Sequence, residues 1–385
     1  MTKYTSKHVL IVAGEASGDL HGATLVKAMK ELDRDIFFQG IGGDKMVIAG
    51  VNIIEHSSQM AVVGLTEVFS RSSTILKSYF KLRSILKNEQ PDLLILIDYP
   101  GFNISLAGAA KKFGIPVLYY ISPQLWAWRS GRVKKISERV NRMAVILPFE
   151  KEFYNNMGSS MPVEYVGHPL MDQVPMNLKK DIIEKEFGIN SGDTVIGLLP
   201  GSRNEEVKKL LPDMVGAAEI ISSGVDNLKC ILPVAPTISR ELVNRITGKS
   251  PLNIITASKG VYPVLCVSDM AFVASGTATL ETAIMGVPMI ITYRISPLSF
   301  RIAKRVVKVP YVGLVNLVAG EEVAPELLQE NVTPQVLAEK ALEILNDIDR
   351  KTAVRKKLES VKNSLGEPGA SVRTAGIAFE MIKGN

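Results

Sequence analysis

The residues His8-Val-Leu-Ile-Val-Ala13, followed directly by Gly14-Glu-Ala-Ser-Gly-Asp19, decide the fold class of this 385-residue chain. A continuously hydrophobic run that ends in a glycine-containing turn is typical of a parallel strand covered on both faces. Similar runs recur along the whole chain, separated by segments of helical periodicity: residues 36–40, 93–98, 117–121, 143–148, 163–166, 195–199, 230–234, 254–257, 270–274, 289–292 and 312–317. This alternation predicts an α/β fold with doubly wound parallel sheets.

Two series of strands, one starting near residue 8 and one near residue 194, predict two Rossmann-like domains. A turn-rich stretch over residues 167–180 marks the boundary, so we expect domains at residues 1–170 and 171–365. The segment from residue 334 onward is predicted to be helical and broken at Gly366-Glu-Pro-Gly369. We expect its last part, residues 366–385, to pack back on the first domain.

The composition limits the classes of function. Two cysteines exclude a disulfide scaffold and a four-thiolate metal site, and the four histidines lack metal-ligand spacing, so no metal is expected. The net charge of +6 favours an anionic partner, such as a phosphorylated substrate, nucleic acid or an anionic membrane. No zinc ligands or aromatic strand motif support nucleic acid. The absence of a long apolar run predicts a cytoplasmic protein, soluble or peripheral.

Three motifs of the first half carry candidate chemistry. Glu15, Ser17 and Asp19 follow the first strand, where they would either contact a substrate or, for Asp19, cap the helix. Asp98 ends the apolar strand of residues 93–98, which favours a general base over a helix cap. Trp126 and Arg129 share one loop that is suited to a sugar or an acyl chain, or is simply packed.

Two motifs of the second half predict a phosphate and nucleotide site. Gly201, Ser202 and Arg203 follow a strand, and their backbone N–H groups and guanidinium can bind a phosphate. A second strand leads into the motif of Ser275, Gly276, Thr277 and Glu281. There the start of a helix suits a diphosphate and the carboxylate suits ribose hydroxyls, whereas a plain N-cap would leave Glu281 unexplained.

Amphipathic segments predict contact with a membrane or with acyl chains, the alternative being an ordinary helix with a solvated face. One segment carries cations that share a helix face, and the other is an apolar stretch. Their residues are Arg301, Lys304, Arg305 and Lys308, and Met60, Val62, Val63, Leu65 and Phe69.

In order and spacing, these motifs resemble those of the lipid-A-disaccharide synthases, glycosyltransferases of the two-Rossmann-domain (GT-B) architecture. The resemblance runs over nearly the whole chain and rests on Gly14-Glu-Ala-Ser-Gly-Asp19, Ile97-Asp-Tyr-Pro-Gly-Phe-Asn103, Ser122-Pro-Gln-Leu-Trp-Ala-Trp-Arg129, Leu199-Pro-Gly-Ser-Arg203, Ser275-Gly-Thr-Ala-Thr-Leu-Glu281 and Val315-Asn-Leu317. It implies an interdomain cleft and an inverting, metal-independent transfer without a cofactor. UDP-2,3-diacylglucosamine is the implied donor and 2,3-diacylglucosamine 1-phosphate (lipid X) the implied acceptor. The implied products are UDP and a β-1,6-linked disaccharide 1-phosphate.

The resemblance also assigns roles to residues. Asp98 would be the general base, and Arg203 with the N–H groups near Gly276 and Thr277 would stabilise the leaving diphosphate. Glu281 would hold the ribose, and Asn316 the nucleotide or the diphosphate. Acceptor-side contacts would come from Glu15, Ser17, Asp19, Trp126 and Arg129.

The expected location is the inner face of the inner membrane of a Gram-negative-type bacterium, with an anionic membrane surface as a partner. The sequence leaves open whether the protein forms a homodimer. The alternatives are a UDP-N-acetylglucosamine 2-epimerase, a peptidoglycan N-acetylglucosaminyl transferase, and a non-catalytic protein that binds a nucleotide sugar or a lipid.

Overall fold

The computed structural model describes residues 6–60, 65–175 and 177–384, and within residues 65–72 it describes the backbone alone. The chain divides into two compact units, Met1–Asp172 together with Leu365–Asn385, and Gln173–Ser364. Each unit is built on one parallel β-sheet flanked by helices. The expected fold class, two doubly wound parallel sheets, is confirmed.

The first unit contains a seven-stranded sheet in the order β3-β2-β1-β4-β5-β6-β7. Its strands are β1 (His8–Ala13), β2 (Phe37–Gly42), β3 (Asn52–His56), β4 (Leu93–Ile97), β5 (Val117–Tyr120), β6 (Arg142–Val145) and β7 (Val163–Tyr165). Its helices before the second unit are α1 (Ala16–Leu32), α2 (Asp44–Ile48), α3 (Ser57–Met60), α4 (Leu65–Asn88), α5 (Pro100–Lys112), α6 (Leu125–Trp128), α7 (Val133–Ser137), α8 (Glu150–Asn156) and α9 (Leu170–Gln173).

The second unit contains a six-stranded sheet in the order β10-β9-β8-β11-β12-β13. Its strands are β8 (Thr194–Leu199), β9 (Leu228–Pro233), β10 (Ile254–Ala257), β11 (Met270–Ala274), β12 (Met289–Tyr293) and β13 (Glu326–Leu328). Its helices are α10 (Lys180–Phe187), α11 (Asn204–Ser222), α12 (Arg240–Thr247), α13 (Val261–Val267), α14 (Ala278–Ile284), α15 (Pro297–Val306), α16 (Leu314–Ala319), α17 (Pro334–Leu345) and α18 (Ile348–Ser364).

The central strands explain why the sheets form. In β1, successive side chains enter opposite cores: Leu10 and Val12 belong to one hydrophobic cluster, and Val9 and Ile11 to the other. All six residues of this strand are buried. Because both faces are dry, the strand needs apolar residues at every position, which is the pattern seen in the sequence.

The last helix, α19 (Ala370–Lys383), packs against α1 in the first unit. Arg373 fixes the N-terminal end of α19, because its guanidinium donates to the carbonyl oxygens of Val166, Pro368 and Glu367. The Ser371 hydroxyl donates to the Thr24 hydroxyl of α1 at 3.0 Å.

One predicted strand is wrong and two observed strands were not predicted. Residues 312–317 form no strand, because α16 (Leu314–Ala319) occupies most of them and ends at Gly320 in a left-handed conformation. The strand that lies at that edge of the sheet is β13, which is only three residues long. Strand β3 escaped prediction because it is partly exposed and carries polar residues instead of a continuous apolar run.

Candidate active site

The carboxyl ends of β1, β4, β5 and β6 are neighbours at one edge of the first unit's sheet, because these four strands are adjacent and parallel. The segments that follow them carry Glu15 and Asp98 in turns, Trp126 in the short helix α6 and Glu150 at the start of α8. The carboxyl groups of Glu15 and Glu150 both interact electrostatically with Asp98. The fold therefore brings together three of the predicted acceptor-side and catalytic residues and adds a carboxyl that was not predicted.

Asp98 lies on a backbone turn held in a rare conformation. Asp98 and Tyr99 both have left-handed φ angles, of 44° and 46°. The Asn103 amide donates to the carbonyl oxygens of Ile97 and Asp98, and the Tyr119 hydroxyl donates to the same Asp98 carbonyl. Burial and the nearby Glu15 carboxylate raise the pKa of Asp98 to about 6. A carboxyl whose pKa lies this close to neutrality is suited to act as a general base.

The turn after β1 lies against the ring of Tyr99. A Cβ atom on Gly14 would come within 2.5 Å of that ring, so only glycine fits here. Glu15 and Ser17 are exposed just beyond this contact. These two of the predicted acceptor-side residues are therefore accessible to a ligand.

The loop after β5 is fixed by Glu150. Its buried carboxylate accepts from the Trp126 indole N–H at 3.2 Å and from the N–H groups of Ile146 and Leu147. Burial raises the pKa of Glu150 to about 7. The Arg129 guanidinium stacks on the exposed Trp128 ring, 3.8 Å from its centroid. The Glu150 carboxylate thus fixes the position of Trp126. Arg129 and Trp128 form an accessible cationic and aromatic surface.

Asp19 has a structural role that was not predicted. Its buried carboxylate accepts from the backbone N–H groups of Gly43, Lys45 and Met46, at 2.7 to 3.1 Å. It therefore caps helix α2 and not its own helix. The expectation that Asp19 faces the acceptor does not fit the structure, because its oxygens are already used.

A cavity of about 570 Å³ in the second unit gathers most of the predicted donor residues. It lies where β8, β9, β10 and β11 end, and segments 233–236 and 258–261 complete its walls. The predicted residues that line it are Gly201, Ser202, Arg203, Ser275, Gly276, Thr277 and Glu281.

Glu206 holds the loop of residues 201–203 in this cavity. Its carboxylate accepts from the N–H groups of Ser202 and Arg203, and it pairs with the Arg203 guanidinium at 3.0 Å. Gly201 adopts a φ of 108°, and a Cβ atom there would collide with the Glu206 carboxylate. The Arg203 side chain remains mostly exposed. It can therefore exchange its carboxylate partner for an incoming phosphate.

Glu281 lies deeper in the same cavity. Burial raises its pKa, and the neighbouring Tyr262 hydroxyl opposes that shift. The Ser275 hydroxyl donates to the Val312 carbonyl at 2.9 Å, which ties the loop after β11 to the segment after α15. Thr277 makes no side-chain capping bond to α14. The plain N-cap alternative is therefore wrong for both hydroxyl residues.

Asn316 is fully buried and does not line the cavity. Its amide donates to the Ala324 carbonyl and to Glu326, and its oxygen accepts from the N–H groups of Val323 and Ala324. The expected contact with the nucleotide does not fit the structure, because every polar atom of this side chain is used to hold residues 323–326.

The segments predicted to contact a membrane differ from one another. Met60 is fully buried in the core and its carbonyl accepts from the Tyr99 hydroxyl, so its predicted surface role is wrong. Val62 and Val63, and the side chains of Leu65 and Phe69, lie outside the described residues.

Helix α15 carries the predicted cations Arg301, Lys304 and Arg305, whereas Lys308 lies beyond its end. None of its residues is buried. Leu298 and Ile302 are 69% and 57% exposed and lie on one face, four residues apart.

Residues 6–60, 65–175 and 177–384 are the part of the chain that the structure describes. No helix in these ranges is both long and apolar enough to cross a bilayer. Among the same residues, no group of three or more His, Cys, Asp or Glu side chains is placed to hold a metal ion.

Three residues of the site were missed in the sequence. Glu206 stands three residues after Arg203, at the spacing of a capping box, so a local signal existed. Glu150 and Tyr262 gave no such signal. Their partners Trp126 and Glu281 are distant in sequence, and only the folded sheets bring them close.

Solved structures place the fold in a class. The UDP-GlcNAc 2-epimerase from Neisseria meningitidis bound to UDP-GlcNAc superposes with a TM-score of 0.65 at 14% identity, over 98% of this chain and 100% of that one. The glycotransferase of kitacinnamycin gives 0.65 at 15% identity, over 98% and 99%. The fold is that of the GT-B glycosyltransferases and related epimerases.

Sequence relatives decide the family. The model for lipid-A-disaccharide synthetase matches residues 9–378. The lipid-A-disaccharide synthases of Trichlorobacter lovleyi and Geobacter sulfurreducens are 46% and 44% identical over 98% and 99% of this chain, and those alignments cover 98% and 99% of the relatives. The chain belongs to the lipid-A-disaccharide synthase family. Its expected role, glycosyl transfer in the synthesis of the lipid A disaccharide, is confirmed.

The cap that Asp19 provides leads to a prediction about stability. Asp19→Asn should lower the free energy of unfolding by about 1–3 kcal/mol, because an amide cannot accept from all three N–H groups. Urea denaturation followed by circular dichroism measures this. Asp44→Asn is the matched control, since this carboxylate of α2 is exposed. If Asp19→Asn unfolds like the wild type but loses turnover, the capping role is contradicted and Asp19 contacts the substrate instead.

Proposed function

We propose that the protein transfers 2,3-diacylglucosamine from its UDP ester to the 6-hydroxyl of 2,3-diacylglucosamine 1-phosphate, with inversion at the anomeric carbon. The products are the β-1,6-linked disaccharide 1-phosphate and UDP. Asp98 carries this proposal, because it combines a strand-end position, a left-handed turn and a pKa raised to about 6. An epimerase also needs a base but has no acceptor sugar, so the epimerase alternative leaves the Trp126 and Arg129 surface without a ligand.

In the proposed mechanism, Asp98 takes the proton of the acceptor hydroxyl while that oxygen attacks the donor anomeric carbon. The bond from this carbon to the diphosphate oxygen breaks at the same time, and UDP leaves with the electron pair. Glu15 and Ser17 are accessible beside this base, and Trp126 and Arg129 offer an aromatic and a cationic surface to the acceptor sugar and its phosphate.

The donor is proposed to occupy the cavity of the second unit. Arg203 and the backbone N–H groups near Gly276 and Thr277 would stabilise the negative charge that develops on the leaving diphosphate. Glu281 would accept bonds from the ribose hydroxyls, with the Tyr262 hydroxyl beside it. The Arg203 guanidinium and the N–H groups near Gly276 and Thr277 would supply the positive potential that a divalent cation supplies in other transferases, so we propose a metal-independent reaction.

A turnover assay tests the reaction. Purified protein, both diacylated substrates and EDTA should give UDP and disaccharide in equal amounts by mass spectrometry. UDP without disaccharide would contradict the proposed acceptor. Activity that requires added Mg²⁺ would contradict the metal-free mechanism.

The raised pKa of Asp98 predicts the pH profile. The base works only when it is ionised, so kcat/KM should fall about tenfold per pH unit below about pH 6. Glu15→Gln should move this inflection to lower pH, because it removes the negative charge that raises the pKa of Asp98. Initial rates measured from pH 4.5 to 8.5 report both effects.

Asp98→Asn is the companion variant, since asparagine tolerates the left-handed backbone. It should lower kcat about 10²- to 10⁴-fold and leave UDP affinity unchanged. An equal loss of UDP affinity, measured by calorimetry, would contradict the assignment of Asp98 as the base.

We also propose that α15 lies on the anionic inner face of the inner membrane. Its exposed stripe of Leu298 and Ile302 is flanked by Arg301 and Arg305, which is the arrangement of an interfacial helix.

Ile302→Ser should lower co-sedimentation with phosphatidylglycerol vesicles several-fold, because it removes apolar surface from the bilayer contact. Ile348→Ser is the control, since Ile348 is 80% exposed on another helix. Equal loss in the two variants would mean that α15 is not the contact.

A further inference from the structure

We propose that a groove between α4 and α5 binds one acyl chain of the acceptor and so sets the acceptor chain length. The groove lies in the first unit and has a volume of about 610 Å³. This inference rests on the proposed function, because it requires a diacylated acceptor whose hydroxyl reaches Asp98.

The walls of the groove are apolar. Ile75, Leu76 and Tyr79 of α4 face Tyr99 and Phe102 across it. The Phe102 ring fixes both sides, with centroid distances of 6.1 Å to Tyr79 and 5.8 Å to Tyr99. Leu76 is 56% exposed, so α4 leaves apolar surface in contact with water at this point. Such surface is stabilised when a hydrocarbon covers it.

The position of the groove identifies its occupant. Tyr99, which lines it, directly follows the proposed base Asp98 and packs its ring against Gly14 of the acceptor-side turn. A sugar whose hydroxyl reaches Asp98 can therefore extend an acyl chain from the other end of its ring into the neighbouring groove. Among the residues whose side chains the structure describes, those that line the groove carry no charge, which matches an alkyl chain better than the phosphate or the sugar.

Gly101 and Ser105 leave room along the α5 side. An added Cβ on Gly101 would meet no atom within 4 Å. The exposed Ser105 hydroxyl donates only within its own helix, to the Gly101 carbonyl at 3.3 Å. A leucine at either position would thus add apolar atoms to the wall of the groove and shorten the space for a chain.

The test varies the chain length on one substrate at a time. Acceptors with acyl chains of four to ten carbons are used below their micellar concentration, with one fixed donor. In the wild type, kcat/KM should rise up to about fourfold for each added methylene that the groove buries. In Ser105→Leu and Gly101→Leu this gain per carbon should shrink, so that the loss of activity grows with acceptor length.

Two controls make the outcome specific. Ser360→Leu replaces another exposed helical serine that donates to the carbonyl four residues earlier, and it should keep the wild-type dependence on acceptor length. A donor series with a fixed acceptor should give the same gain per carbon in Ser105→Leu and in the wild type.

The inference would be overturned if the groove variants changed the donor series, or if they lowered activity equally at every acceptor length. A wild type that forms no disaccharide with any acceptor would instead refute the proposed function.

Discussion

The left-handed turn at Asp98 and Tyr99 is the constraint on which the first unit's site depends. Two consecutive non-glycine residues in this conformation cost about 1–3 kcal/mol each, so the surroundings must hold them. The Asn103 amide and the Tyr119 hydroxyl do so by donating to the carbonyl groups of the turn. Because the turn ends β4 abruptly, the Asp98 carboxyl stays at the edge of the sheet while α5 begins two residues later at Pro100.

The same turn also determines the position of the ring of Tyr99, and several other features follow from that ring. Its hydroxyl donates to the Met60 carbonyl at 3.0 Å, the ring lies against Gly14, and Tyr99 also lines the apolar groove. The proposed base, the acceptor-side turn and the groove are therefore positioned by one pair of residues. Asp98 and Tyr99 are adjacent in the chain, so the proposed base and the groove have little freedom to move relative to each other. A substrate bound in the groove would therefore have a defined position relative to the base.

The sequence predicted the parts of the fold that depend on local composition and missed those that depend on distant partners. Continuously apolar strands such as His8–Ala13 were recognised because burial on both faces leaves no other pattern. The run at 312–317 was misassigned, because a short apolar segment suits a strand or a buried helix equally. At the candidate site, the sequence placed Asp98 and residues 201–203 at the carboxyl ends of strands, and the structure has them after β4 and β8. The partners of Asp19 and Asn316 could not be read, because Asp19 caps a helix more than 20 residues away and Asn316 holds a later loop.

Burial and the neighbouring carboxyl groups at this edge together bring the pKa of Asp98, the proposed base, to about 6. Burial is the larger cause, and the Glu15 carboxylate adds to it; burial likewise raises the pKa of Glu150, with a smaller contribution from the Asp98 carboxylate. In the proposed reaction Asp98 takes up a proton, so its charge disappears and its repulsion of the Glu150 carboxylate is relieved. The pKa of Glu150 then falls, which favours the ionised form that accepts from the Trp126 indole and from the N–H groups of Ile146 and Leu147. Under the proposed mechanism, protonation of the base would therefore favour the state of Glu150 that holds Trp126 in place.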